Sequence, residues 1–204
     1  MEINTLMLGD LGTNCYLLST EKAAVVIDPG FDSDEVTSFL NENSDKERMI
    51  ILSHCHYDHI SGAYELATKT DTKIAIGELE NASLSQPQIN LSHFFGEKII
   101  PFSADVLLSD DGKLSVGDID FIVWHTAGHT VGGICLLTEN VIFSGDTLFY
   151  ESVGRTDFPG GSFSELKKSI IRIYGLDDSV TVYPGHGPAT TVGHEKIFNP
   201  YVRL

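Results

Sequence analysis

Within Ser53-His54-Cys55-His56-Tyr57-Asp58-His59, three imidazoles and one carboxylate fall inside six residues. No other stretch constrains the fold as much. A buried Asp or His is costly unless it has a partner, and a cation partners all four groups at once. The cluster follows the apolar run 49–52 and precedes apolar residues at helical spacing (Ile60, Ala63, Tyr64, Ala67), so it belongs where a buried strand ends and a helix begins. In an extended segment His54 and His56 point to one side and Cys55 to the other, which makes Cys55 a packed thiol. Asp58 and His59 fall at the mouth of the helix and can turn toward a second position. The four groups can build one tetrahedral zinc site, or divide as two pairs between neighbouring metals.

Further donors must come from later in the chain. Gly128-His129-Thr130, Gly145-Asp146-Thr147 and Gly185-His186-Gly187 each follow the end of an apolar strand pattern. Side chains at strand ends along one sheet edge converge in space. A lone Gly-His or Gly-Asp is ordinarily a turn. Beside the first cluster, His129, Asp146 and His186 read as the remaining ligands. His125 reads as a strand-end residue, structural or behind a ligand, and His93 and His194 as surface or loop histidines.

The patterning predicts strands over 2–8, 14–19, 23–27, 49–52, 73–76, 106–108, 113–116, 119–125, 133–137 and 141–144, with 180–183 the last. It predicts helices over 32–41, 60–68 and 163–174, and a helix and loop over 78–95. Strands and helices interleave in both halves, which predicts an α/β (α+β) fold in layers; periodicity leaves the topology open. With 204 residues and no linker or repeat, residues 1–204 read as a single domain. No apolar run approaches the ~20 residues of a membrane span, and the start lacks the pattern of a signal peptide. Lys plus Arg number 13 against 29 Asp plus Glu, a net charge of −16. Such a surface repels phosphate backbones and anionic lipid, so a small-molecule substrate is expected, with no nucleic acid or membrane partner. Three widely spaced cysteines make no disulfide framework and point to a cytoplasmic location.

The sequence resembles the metallo-β-lactamase superfamily from end to end, on His54-x-His56-x-Asp58-His59, His129, Asp146 and His186 in that order. Within it, the chain is similar to the hydroxyacylglutathione hydrolase (glyoxalase II)-like branch. The residues that carry this are Asn14-Cys15-Tyr16, Asp28-Pro29-Gly30, Gly128-His129-Thr130, Gly145-Asp146-Thr147-Leu148-Phe149, the run from Gly154-Arg155-Thr156-Asp157-Phe158 through Pro159-Gly160-Gly161, and Asn199-Pro200-Tyr201. The resemblance implies a four-layer αββα sandwich with a dinuclear site at one edge. It implies His54, His56 and His129 on the first metal, Asp58, His59 and His186 on the second, and Asp146 bridging. Zinc is the expected metal, with iron or manganese as alternatives. Ser53 stands where the family has Thr, and Ala127 where it has Pro. Glyoxalase II also carries a helical C-terminal region that helps bind glutathione, and this sequence reaches Leu204 soon after His186. The chemistry therefore carries over and the glutathione specificity does not.

The implied chemistry is hydrolysis of small thioesters, hydroxyacylglutathione-like, by a metal-bound hydroxide. A zinc ion lowers the pKa of bound water to about 7, and a thiolate with a pKa near ~8.5 leaves without a general acid. Asp58 is the expected catalytic carboxylate, orienting the nucleophile. The Gly-rich segment 148–162 is expected to line the substrate groove through Tyr150 and Arg155. Arg155 could take a substrate carboxylate or pair with Asp157. Asp28 reads either as a plain turn residue or as a partner holding a ligand. Two alternatives fit the same residues. One is a persulfide dioxygenase-like enzyme with a single iron on His54, His129 and Asp146, since that branch shares the 154–158 pattern. The other is a β-lactamase-like hydrolase of another substrate.

Overall fold

The computed structural model describes residues 1–203 and builds them into two six-stranded sheets that share a core. In the first sheet β1 (Glu2–Leu8), β2 (Thr13–Ser19), β3 (Ala23–Ile27), β4 (Glu47–Leu52), β5 (Lys73–Gly77) and β6 (Val106–Leu108) lie side by side in chain order. The β1–β2 and β2–β3 pairs are antiparallel, and pairing from β3 to β6 is parallel. Parallel neighbours need crossovers. Helix α1 (Asp34–Glu42) links β3 to β4, and α2 (Tyr57–Ile60) with α3 (Ala63–Thr70) links β4 to β5. Covering both faces explains why β3 and most of β4 are continuous apolar runs. Val25, Ile27, Met49 and Ile51 face the other sheet. Val26, Ile50 and Leu52 lie under Val36 and Leu40 of α1 and Leu66 of α3. Beyond β5 come a 3-10 turn, Asn81–Ser85, and the short α4 (Ser92–Phe95).

The second sheet runs β14-β13-β10-β9-β8-β7. Its strands are β7 (Lys113–Val116), β8 (Ile119–His125), β9 (Ile134–Thr138), β10 (Val141–Gly145), β13 (Thr181–Pro184) and β14 (Thr190–Thr191). A two-stranded ribbon, β11 (Leu148–Phe149) with β12 (Ser152–Val153), stands apart. Helix α5 (Phe163–Tyr174) carries the chain from the ribbon to β13, and α6 (Val192–Phe198) follows β14. Leu166, Ile170 and Ile173 of α5 pack on Cys135, Ile142 and Val182 of this sheet. The layers are thus helix, sheet, sheet, helix, as the resemblance implies. Among the described residues no helix is long and apolar enough to cross a membrane.

Three expectations need correction. The helix expected over 60–68 is split, because the Gly62 N–H bonds the Pro29 carbonyl at 3.0 Å, a partner outside any helix. The strand over 180–183 is not the last: β14 and α6 follow it. A two-residue strand has no periodicity to detect, and α6 starts from a Thr191 cap with Gly193 in its first turn. The segment 78–95 holds only short helical turns, anchored by side chains rather than by a repeating apolar face.

Candidate metal centre

The donor segments leave the carboxyl ends of β4, β8, β10 and β13. They bring His54, His56, Asp58, His59, His129, Asp146 and His186 into one cluster. His56 Nδ1 lies 3.1 Å from His54 Nε2 and 2.8 Å from His129 Nε2. Asp58 Oδ2 lies 3.5 Å from His59 Nε2 and 3.2 Å from His186 Nε2. Asp146 touches both groups. Its Oδ1 is 3.4 Å from His59 Nε2, and its Oδ2 is 3.3 Å from His129 Nε2 and 3.7 Å from His186 Nε2.

Partners on the far side of the rings set which nitrogen faces inward. His59 Nδ1 donates to Asp28 Oδ2 at 2.9 Å, His129 Nδ1 to the Arg155 carbonyl at 2.7 Å, and His186 Nδ1 to the Leu11 carbonyl at 3.2 Å. His54 Nδ1 donates to Ser53 Oγ at 3.0 Å, whose own proton goes to Asp28 Oδ2 at 2.6 Å. In their neutral forms these four rings therefore aim Nε2 lone pairs into the cluster. Of the atoms that face the cluster, His59 Nε2 and Asp146 Oδ1 are buried without a hydrogen-bond partner among the described residues. Converging, unpartnered lone pairs fit metal ions, and imidazole with carboxylate is a donor set for zinc or iron.

The electrostatics agree. Burial, reinforced by neighbouring imidazoles, holds His54 well below the usual histidine range and His56 down at about 3, so both are neutral donors. Burial pulls His59 down too, but the carboxylates of Asp58, Asp146 and Asp28 outweigh it and hold it well above its ordinary value. Burial pushes Asp146 up, yet His59 and His129 overcome this and keep it ionised. The cluster attracts positive charge.

Residues outside the cluster shape it. Asp28 closes β3 in a left-handed conformation, φ +53°. It accepts the Ser53 N–H at 2.7 Å as well as the two bonds above, so one carboxylate holds His59 directly and His54 through Ser53. It is both the turn and the ligand's partner. Thr13 Oγ1 donates to Asp58 Oδ2 at 3.1 Å. Asn14 brackets His186: its side chain donates to the carbonyls of Pro184 and Gly187, and its N–H to that of Gly185. This gives the Asn14-Cys15-Tyr16 pattern a structural meaning. A Cβ at Gly154 would lie 1.8 Å from the Asp146 carbonyl oxygen.

Glu80 was not legible in the sequence, because it sits in a polar stretch with no pattern around it. It is buried, and its carboxylate accepts the Cys55 N–H at 2.9 Å and the Gly132 N–H at 2.6 Å. It thereby ties the loop carrying His54 and His56 to the loop carrying His129. Glu80→Ala strands two buried donors and is expected to weaken metal affinity by roughly ten- to a hundredfold. Glu80→Gln, which keeps an acceptor, should recover part of it. Chelator competition measures both, and affinities within twofold of wild type would refute the role.

Of the other expected residues, Arg155 lines the cleft above the cluster. Its guanidinium is engaged by both oxygens of Asp157 at 2.7 Å and lies 3.9 Å over the Phe158 ring. Tyr150 is placed outside the cleft lining. Its exposed ring stacks on His194 at 5.0 Å, and His194 pairs with Glu151. His125 bonds the Val131 carbonyl at the surface, and Cys55 is buried in the core beneath the first sheet.

Residues 8–186 match the family model of the metallo-beta-lactamase superfamily. The chain belongs to this superfamily. Among solved structures, the BLEG-1 B3 metallo-beta-lactamase is 34% identical with a TM-score of 0.91, covering 98% of this chain and 99% of that one. TTHA1623, solved in a di-iron-bound form, is 32% identical with a TM-score of 0.84, covering 98% of this chain and all of that one. Hydroxyacylglutathione hydrolase GloC of Haemophilus influenzae is 31% identical over 208 residues, 99% of this chain and 98% of its own.

Proposed function

We propose that this metallo-beta-lactamase superfamily member is a dinuclear metallohydrolase of small thioesters. The observation that carries the reading is the presence of two complete three-residue donor groups that share the carboxylate of Asp146. His54, His56 and His129 would hold one cation, Asp58, His59 and His186 the other, with Asp146 reaching both. When bound, the cations supply a water of lowered pKa and a Lewis acid for the substrate carbonyl. Asp58 has Oδ2 engaged by Thr13 and facing His59 and His186; its other oxygen orients the attacking water. Zinc is the cation we propose, with iron, as in the di-iron relative, the alternative.

A thioester suits this cleft. Outside the donor cluster its polar side chains are Ser152, Arg155 and Tyr57. Ser and Arg keep their protons at neutral pH. Burial and the adjacent Asp58 push the Tyr57 phenol up to about 12. A thiolate departs unaided, so a thioester needs no proton from any of them. Similarity to GloC supports the same class. The three buried, unpaired cysteines suit a cytoplasmic setting.

Protein purified without chelator is expected to carry about two divalent metals per chain. Its kcat/KM should be at least roughly a hundredfold higher for acyl thioesters than for a cephalosporin, a difference of about 2.7 kcal/mol in barrier. Chelation should abolish turnover and metal restore it. Thioesters left uncleaved would end this reading. One iron per chain with oxygen uptake on glutathione persulfide would replace it with the persulfide dioxygenase-like one, and faster cephalosporin cleavage with the β-lactamase-like one.

A further inference from the structure

We infer that the cleft selects thioesters whose acyl and thiol parts are uncharged and apolar, and that it discriminates against anionic conjugates such as those of glutathione; this rests on the thioester reading above and names its substrate class. The cleft has a volume of about 420 Å³, within the usual range for a small-ligand site. Above the donor cluster its walls are mostly apolar: Leu11, Leu91, Phe95, Phe149, Val153 and Phe158, with the ring of Tyr57 among them. The Tyr57 and Phe95 rings stack at 4.7 Å, and Phe158 meets His56 edge-on at 5.8 Å. Phe95 remains 47% exposed, so its face is free to cover a ligand.

This wall is held in place. Leu91 adopts φ +67°, a left-handed conformation that a leucine side chain disfavours. The neighbouring Asn90 fixes it there. Its side chain donates to the Leu84 carbonyl at 3.0 Å and accepts the Ser92 N–H at 3.0 Å, and its carbonyl accepts the Tyr57 N–H at 2.8 Å. The apolar wall is thereby fastened to the segment that carries Asp58 and His59.

Charge points the same way. Arg155 is the one Lys or Arg lining the cleft among the described residues. Its Nε and Nη2 both bond Asp157 and one face of the guanidinium lies on Phe158, so the fork that would grip a carboxylate through both nitrogens is taken. A substrate carboxylate would have to compete with a carboxylate tethered two residues away, whose effective concentration is high. The chain's net charge of −16 adds a field that disfavours approaching anions.

The test uses the metal-loaded protein and matched acyl thioesters, acetyl through octanoyl, of N-acetylcysteamine (uncharged) and of glutathione (anionic). We expect kcat/KM to rise about fourfold per added methylene in the uncharged series, the equivalent of ~0.8 kcal/mol of transfer free energy. Each uncharged member should exceed its glutathione counterpart roughly tenfold at low ionic strength. Phe95→Ala should flatten the chain-length dependence. Asp157→Asn should release Arg155 and raise the glutathione members relative to the uncharged ones at least about threefold. Rates independent of chain length, or a preference for glutathione conjugates, overturn the inference. If no thioester is cleaved, the thioester reading fails by itself. Calorimetric binding of the uncleavable ketone analogues, with CH2 in place of sulfur, then decides: affinity that tightens with chain length and weakens in Phe95→Ala supports the apolar site, and affinity flat across the series overturns it.

Discussion

Asp146→Asn is expected to lower kcat/KM by roughly a thousandfold, about 4 kcal/mol in barrier, and to reduce bound metal from about two per chain to one or fewer. Asp146 Oδ1 faces His59 Nε2 at 3.4 Å while Oδ2 faces His129 Nε2 at 3.3 Å and His186 Nε2 at 3.7 Å. A single carboxylate thus meets both donor groups. Asparagine has the same shape but no charge. Its amide N–H can also donate to an inward imidazole nitrogen, filling the space that a cation needs. The fold should persist, because the side chain's volume is kept. Elemental mass spectrometry and steady-state kinetics read the two effects. A melting experiment with and without chelator gives a third: ligands that bind the native state raise its stability by about 2.7 kcal/mol at a hundred times Kd, so the variant's chelator-induced shift should be smaller than that of wild type. Two metals retained with rates within tenfold would remove Asp146 from its shared role.

Gly30→Ala should cost roughly 3 kcal/mol of stability or more, a fall in Tm of roughly 6–12 °C for a chain of this size. A Cβ at Gly30 would stand 1.7 Å from the Asp58 carbonyl oxygen and 2.8 Å from its carbon. The obstacle is backbone, so no side-chain rotation relieves it. Either the 28–30 turn or the α2 segment must move, and α2 carries Asp58 and His59. Metal retention should therefore fall along with Tm. Gly96→Ala is the control. Its φ of +74° imposes backbone strain, but nothing lies within 4 Å of the added carbon, so a loss of about 1 kcal/mol is expected. Equal shifts in the two variants would show that close packing against α2 is not what Gly30 secures.

Much of this architecture was legible along the chain. β3 over Ala23–Ile27, β8 over Ile119–His125 and α5 over Phe163–Tyr174 lie where periodicity places them. In each, burial on a face or on both faces writes itself into neighbouring residues. The short motif of His54, His56, Asp58 and His59 was legible for a related reason: four costly side chains at close spacing make sense only around a shared partner. His129, Asp146 and His186 were weaker signals, since Gly-His and Gly-Asp pairs are common turns. Their grouping came from strand ends, and their division between two metals from family resemblance.

Other features depend on residues that meet only after the sheets pack. Glu80 reaches Gly132 across 52 residues, and Asn14 reaches Gly187 across 173. The cost of an unpaired N–H is set by burial, and burial at these positions is a property of the assembled layers. The same holds for Tyr150 and Arg155. Sequence placed both on a Gly-rich segment after Asp146; packing turned the Tyr150 ring onto His194 and closed Arg155 onto Asp157. Residue type and spacing alone determined that the chain gathers metal donors at strand ends. Which side chains orient them, and that the cleft above them is apolar with its single cation already paired, was decided by tertiary structure, because hydrogen-bond geometry and exclusion of water arise from contacts distant in sequence.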